Sequence, residues 1–228
     1  MIGLRALALI AIFALAGCGN DPSASDLSEP IKQAGARLKG LLTRDKTAAT
    51  LATLGPDAIA PLRKALEDDG QPILLVGSKT TGFAGLMAPY GTNGDVVTWS
   101  TEQYVTLSTR DGIIVATRGF GPDLMSASAP SLAQIAAGQG STVRRYYYLD
   151  GADQTQSYAY DCTLARDGSE TIVILGKSYA ASRISESCSG PAGSFTNQYW
   201  FDSRHILRQS RQFLVPGVSD MMLQRVID

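Results

Sequence analysis

The sequence is poor in the residues on which most catalytic and metal chemistry depends. It holds one histidine, His205, and three cysteines, Cys18, Cys162 and Cys188. Metal sites generally take several His or Cys ligands at short spacing, and no such set is present. No G-x-S-x-G surrounds a serine, and no G-x-x-x-x-G-K-S/T phosphate loop occurs. Gly119-Phe120-Gly121 lacks the third glycine and the following helix pattern of a dinucleotide fingerprint. Charge is scarce too: 18% of residues are charged and the formal net charge is −1. Without a basic excess, the electrostatic attraction that drives nucleic-acid binding is missing. What remains is 228 residues of globular composition, 44% hydrophobic, enough for one domain of ordinary size.

Met1 to Gly17 reads as an export signal. Arg5 and the initiator amine are its only positive groups, and Ala6 to Ala16 is an unbroken apolar run. The run is well short of the roughly 20 residues that cross a bilayer, and it fits a signal core of about 7–15. It ends in Leu15-Ala16-Gly17-Cys18, which resembles the bacterial lipobox at all four positions. That resemblance implies lipid transfer to the Cys18 thiol, cleavage before it and acylation of the new amino terminus with a fatty acid such as palmitate. Each buried CH₂ contributes about 0.8 kcal/mol, so several chains anchor firmly. Gly19, not aspartate, follows the cysteine. By the sorting rule of enteric bacteria this implies the outer membrane, with the body facing the periplasm.

The chain divides into the signal, residues 1–17, a lipidated cysteine with a flexible polar tether, 18–30, and a single domain, 31–228. Residues 31–70 carry helical spacing: Ile31, Ala34, Leu38, Leu41 and Leu42 form one helix, and Ala58 to Glu67 a second, with Asp57 as N-cap. Pro61 then falls near the first turn. From Gln71 the pattern becomes β. Strands are expected at 72–78, 96–101, 104–109, 113–118, 143–149, 157–164, 170–175, 179–185, 195–202, 206–213 and 221–227. Gly119 to Ala129 interrupts them and has room for a short helix. Asp111-Gly112, Asp150-Gly151 and Asp167-Gly168 suit the positive φ of tight hairpin turns. The fold class is therefore mainly β, an antiparallel meander closing as a sandwich or barrel, with one or two short N-terminal helices. A two-residue turn at Asp167-Gly168 would pair Cys162 with Val173 and place Tyr158, Tyr160, Cys162, Leu164, Val173 and Leu175 on one core face.

With Cys18 lipidated, Cys162 and Cys188 form an even pair in an exported chain, and a disulfide is the default. His205 follows Asp202 at a turn and reads as a surface residue. Aromatics are the better functional lead. Tyr146-Tyr147-Tyr148 and Tyr199-Trp200-Phe201 put rings on both faces of a strand, one face for the core and the other for sugar or protein. Trp99, Arg118, Tyr147 and Trp200 are the candidates for glycan or partner contact. Arg144, Arg145 and Arg211 are further cations on strands, where charges are usually solvated. A glycan-modifying enzyme working through carboxylates, which needs no histidine, and a general outer-membrane assembly factor are the alternatives.

The order of several short motifs resembles the YjbF/GfcB lipoproteins of exopolysaccharide and group 4 capsule loci. The carriers are LAGC at the lipobox, Trp99-Ser100, RDGIIVATRGFGPDL from Arg110 to Leu124, Cys162, and Glu186-Ser187-Cys188. NQYWFD from Asn197 to Asp202 follows, then Ser210-Arg211-Gln212 before Pro216. The resemblance implies a mostly antiparallel β body in the periplasm and a non-enzymatic accessory role in making or exporting a polysaccharide. It implies no cofactor and no catalytic residue. Its partners would be membrane lipid through Cys18, a locus-encoded periplasmic protein, an outer-membrane β-barrel protein and the polysaccharide itself.

Overall fold

The computed structural model describes residues 56–121, 123–215 and 219–228. The signal, Cys18, the tether and the helix expected from Ile31 lie outside them. The described chain runs α1 (Pro56–Asp69), β1 (Ile73–Ser78), β2 (Phe83–Asn93), β3 (Val96–Ser100), β4 (Thr106–Arg110), β5 (Ile113–Arg118), β6 (Ser126–Ser128) and α2 (Leu132–Ala137). It continues through β7 (Gln139–Leu149), β8 (Thr155–Ile174), β9 (Lys177–Gly190), β10 (Gly193–Asp202), β11 (Leu207–Val215) and β12 (Ser219–Ile227). The strands form one antiparallel sheet in the order β5-β4-β3-β2-β1-β12-β11-β10-β9-β8-β7-β6, nearly closed into a barrel. It is thus two meanders joined where β1 pairs with β12. No helix among the described residues is long and apolar enough to cross a membrane.

Closure comes from side chains as much as from the ladder. The Thr117 N–H of β5 donates to the Leu124 carbonyl, and the Met125 N–H donates to Tyr147 of β7. Gln212, 1% exposed on β11, reaches across the interior. Its Oε1 accepts the Ile114 N–H at 3.0 Å and its Nε2 donates to the Gly112 carbonyl at 2.8 Å, so an edge strand's backbone is satisfied by an amide side chain.

The sheet buries residues on both faces. Inside lie Val76, Met87, Leu107, Tyr146, Tyr160, Leu214 and Met221. Outside, Leu62 and Leu66 of α1 cover Ile73, Ala88, Ile172, Ile174, Trp200 and Val226. This explains why β1 opens with the unbroken apolar run Ile73–Val76 in place of an alternating pattern. Arg63, 8% exposed, clamps the helix down. Its guanidinium donates to the Ile174 carbonyl at 2.8 Å, the Val226 carbonyl at 3.0 Å and Glu67 at 2.8 Å. The helix starts two residues earlier than expected, so Asp57 sits in its first turn and Pro61 within its body. There Asp57 faces the positive end of the helix dipole.

Turn chemistry was read correctly at one Asp-Gly and not at the others. Asp111 (φ 52°) and Gly112 (φ 85°) form the two-residue turn between Arg110 and Ile113. Asp150-Gly151 instead opens a longer loop, closed by Leu149 opposite Thr155. The hairpin expected at Asp167-Gly168 is absent. β8 runs straight through it with one extra residue between Arg166 and Ser169, a bulge in which Gly168 takes φ 96°. The turn is at Leu175-Gly176, with φ 43° and 81°. Cys162 therefore faces Cys188, not Val173. The extra residue inverts the alternation: Tyr160, Cys162 and Leu164 point inward, Ile172 and Ile174 outward beneath α1, and Val173 is 59% exposed. β2 was not expected at all, and the segment after Gly119 holds β6, with its helix, α2, only after Pro130.

Cys162 and Cys188 are bonded, joining β8 to β9 at a sequence separation of 26. Replacing both by serine is expected to cost about 3–4 kcal/mol by the loop-entropy argument, read as a lower urea midpoint in the oxidised protein. Replacing Arg63 by alanine leaves buried carbonyls on β8 and β12 without a donor. The expected loss is about 2–4 kcal/mol, with earlier proteolysis in α1; an unshifted melting temperature would refute the clamp.

Candidate functional site

The barrel interior holds a polar knot. Arg144 on β7 and Glu186 on β9 are 1% and 0% exposed and form an ion pair at 2.8 Å. Arg144 Nε contacts both carboxylate oxygens at 2.9 Å, and its Nη2 donates to the Tyr199 hydroxyl at 2.7 Å. The Tyr199 hydroxyl donates to Glu186 Oε2 at 3.0 Å, the Asn197 amide donates to the same oxygen at 2.9 Å, and the Thr142 hydroxyl donates to Oε1 at 3.1 Å. Asn197 Oδ1 then accepts the Phe213 N–H on β11 at 2.7 Å. Burial pushes the Glu186 carboxyl up, but the Arg144 charge and the hydrogen bonds of Arg144, Asn197 and Tyr199 outweigh it and hold it below its ordinary value. Burial also pushes the phenols of Tyr146, Tyr148, Tyr160 and Tyr199 up, so all four stay neutral. The bonded Cys162 and Cys188 lie beside Glu186. Their thiols are consumed and the carboxylate is neutralised, so this trio has no ligand atoms free for a metal. The knot is sealed from solvent; it holds strands together and offers a substrate no entry.

The residues expected to meet glycan or partner separate. Trp99 is 9% exposed and donates its indole N–H to Thr109 Oγ1 at 2.9 Å. Trp200, 5% exposed, lies under α1 and donates to Glu170 at 2.8 Å. Both are packing residues. Tyr147 is half-buried on β7 and Arg118 is exposed, its guanidinium donating to the Leu124 carbonyl at 3.1 Å. The four are not gathered into one site. Arg144, expected in solvent, is wholly buried, whereas Arg145 is exposed and Arg211 pairs with Asp220 at 2.9 Å. His205 is an exposed turn residue at φ 59°.

Sequence reasoning missed a polar outer surface on β7 to β10. Register aligns Ser141, Thr163, Ser187 and Thr196 in one row and Val143, Asp161, Ser189 and Ser194 in the next. Two shallow depressions, of about 610 and 360 Å³, lie over these rows. Their side chains are short, so the surface is a sheet face lined mostly with hydroxyls, chemically suited to hydrogen bonding and not to apolar burial. The alternation of small hydroxyl residues with buried Cys162, Leu164 and Cys188 was visible in the sequence.

Glu186→Gln removes the charge facing Arg144 and leaves a cation buried without its counter-ion. A loss of about 3–5 kcal/mol is expected, and Arg144→Met with Glu186→Leu should recover most of it. Because the folded carboxyl titrates below its unfolded value of about 4.3, its stabilisation is present above that pH and lost as pH falls through the folded value. Urea melts between pH 6 and 3 should show this acid loss in the wild type and a smaller one in Glu186→Gln.

Comparison with known proteins follows the same lines. The sequence pattern of the family described as group 4 capsule polysaccharide lipoprotein gfcB, YjbF matches residues 46–226. No curated protein matches the chain. Among solved structures, the hypothetical lipoprotein YmcC from Escherichia coli (K12) aligns with a TM-score of 0.62 and 17% identity, over 77% of this chain and 98% of that one. That likeness extends the fold. The family match spans α1, both meanders and every residue of the interior knot, and the chain belongs to this family of capsule polysaccharide lipoproteins.

Proposed function

We propose that this protein is a lipid-anchored accessory factor in the assembly or export of a capsule or exopolysaccharide, acting by binding and not by catalysis. The observation that carries the reading is the family match across residues 46–226. The lipobox places the anchor at Cys18, and Gly19 favours the outer membrane with the domain in the periplasm. A binding role is supported by chemistry: the best-organised charged pair, Arg144–Glu186, is wholly buried, and the accessible surface of β7 to β10 is hydroxyl-rich. The partners are a periplasmic protein and an outer-membrane β-barrel protein encoded at the same locus, together with the polysaccharide.

Deleting the gene should lower the amount of polysaccharide at the cell surface under producing conditions, and the full-length gene should restore it. Cys18→Ala should leave the chain out of the membrane fraction and fail to restore. An undiminished yield in the deletion strain counts against the reading. Retention of function on anchoring loss would remove the lipid from the mechanism.

A further inference from the structure

Two aromatic rings stand apart from the packed ones. Tyr90 and Tyr104 are 41% and 70% exposed, and they meet edge to face with centroids 6.4 Å apart and planes at 86°. Each reaches the surface through a backbone irregularity. The β2–β3 register slips between Pro89 and Gly91, so Tyr90 is the extra residue of a bulge, which re-aims a side chain away from the strand's alternation. Tyr104 has φ 60°, in the left-handed region that disfavours a bulky side chain. Its loop is fastened in that shape: the Thr101 N–H donates to the Val105 carbonyl, the Tyr104 N–H to the Thr101 carbonyl and the Val105 N–H to Thr101 Oγ1. Tyr104 gains little burial in return for this strain, and its ring is held out in solvent against Tyr90.

We propose that the Tyr90–Tyr104 corner is a saccharide-stacking platform. The ligand class rests on the accessory role in polysaccharide handling; the platform itself rests on the geometry. An aromatic face carries a negative quadrupole that attracts the weakly positive C–H groups of a pyranose face. Two rings at a right angle take the face of one sugar unit on one ring and its edge on the other. The phenol hydroxyls and the exposed side chain of Gln103, next to Tyr104 in the chain, offer hydrogen bonds to sugar hydroxyls. Gly91 leaves open space beside Tyr90, with no atom within 4 Å of where a side chain would stand. A protein hot spot would instead need a desolvated pocket, and these rings sit among polar exposed residues.

The test is affinity electrophoresis in native gels cast with the surface polysaccharide purified from cells that make the protein. The wild type should be retarded, and Tyr90→Ala and Tyr104→Gly should each lose about tenfold in apparent affinity. Tyr104→Gly should also hold or raise the melting temperature, because glycine relieves the left-handed strain. Tyr104→Phe should keep most of the retardation. If the wild type is retarded and the variants equally so, the platform is overturned while the accessory role stands. A wild type that is not retarded overturns the platform as well, and surface polysaccharide in the deletion strain decides the accessory role separately. A fall in melting temperature for Tyr104→Gly makes the ring a packing residue and overturns the proposal. Variants that bind polysaccharide normally but lose co-purification with a membrane protein make the corner a protein contact and overturn it too.

Discussion

The ion pair of Arg144 and Glu186 is the constraint around which the barrel is organised. A charge taken from water is tolerated only when its partners are complete, and here Thr142, Asn197, Tyr199 and Arg144 together complete the carboxylate. Those partners come from β7 and β10, on either side of β9 and its neighbour β8, and Asn197 passes the connection on to β11. A register slip of one residue in β7, β9 or β10 would turn a charged or amide group out of the knot and strand the rest. The knot therefore selects one register among several that an apolar interior would tolerate. The disulfide next to it fixes the same register on β8 and β9 by covalent means.

A second constraint works on the opposite face. The bulge at Asp167-Gly168 lets one strand, β8, serve two cores: its first half lines the barrel and its second half faces α1. Without the extra residue, Ile172 and Ile174 would turn to the inner face, and α1 would lose them from an apolar bed otherwise made by Ile73, Ala88, Trp200 and Val226. The helix is thus not an appendage on a finished barrel. It is the cover that the bulge makes necessary, and Arg63 supplies donors to the strand ends that the cover buries.

Much of this was legible in the sequence, and the rest was hidden for definable reasons. Alternation and turn residues revealed most strands of the antiparallel meander, and parity, with Cys18 read as the lipidated residue, pointed to the cysteine pair. Asp-Gly was misread at position 167 because a tight turn and a bulge make the same demand, a residue at positive φ, and only the distant partner β9 distinguishes them. The real turn, Leu175-Gly176, gave the opposite problem: its first position holds a leucine in the left-handed region, so only Gly176 signalled it. β2 was obscured by Gly85, Pro89 and Gly91, which punctuate a strand whose pairing is supplied by its neighbours. The knot was misjudged because charges on strands are usually solvated. Yet Arg144 stands in phase with Tyr146 and Tyr148, and Glu186 in phase with Ile184 and Cys188, so the period of two already placed both inside. Several motifs that carry the family resemblance, among them Glu186-Ser187-Cys188, Asn197 to Asp202 and Ser210 to Gln212, proved to be scaffold: they build the knot, the bridge and the Gln212 clasp.

The strand order has a consequence for how such a chain becomes a barrel. Within each meander every neighbour in space is a neighbour in sequence, so a hairpin there can form as soon as its two strands are free to pair. The seam is different, because β1 is made before the other eleven strands and β12 after them. Until β12 arrives, β1 and β11 each present a bare edge, and β1 is among the most apolar strands of the sheet. A chain still lacking its last strand is thus sticky, and the final strand acts as the zip that removes two aggregation-prone edges in a single pairing event.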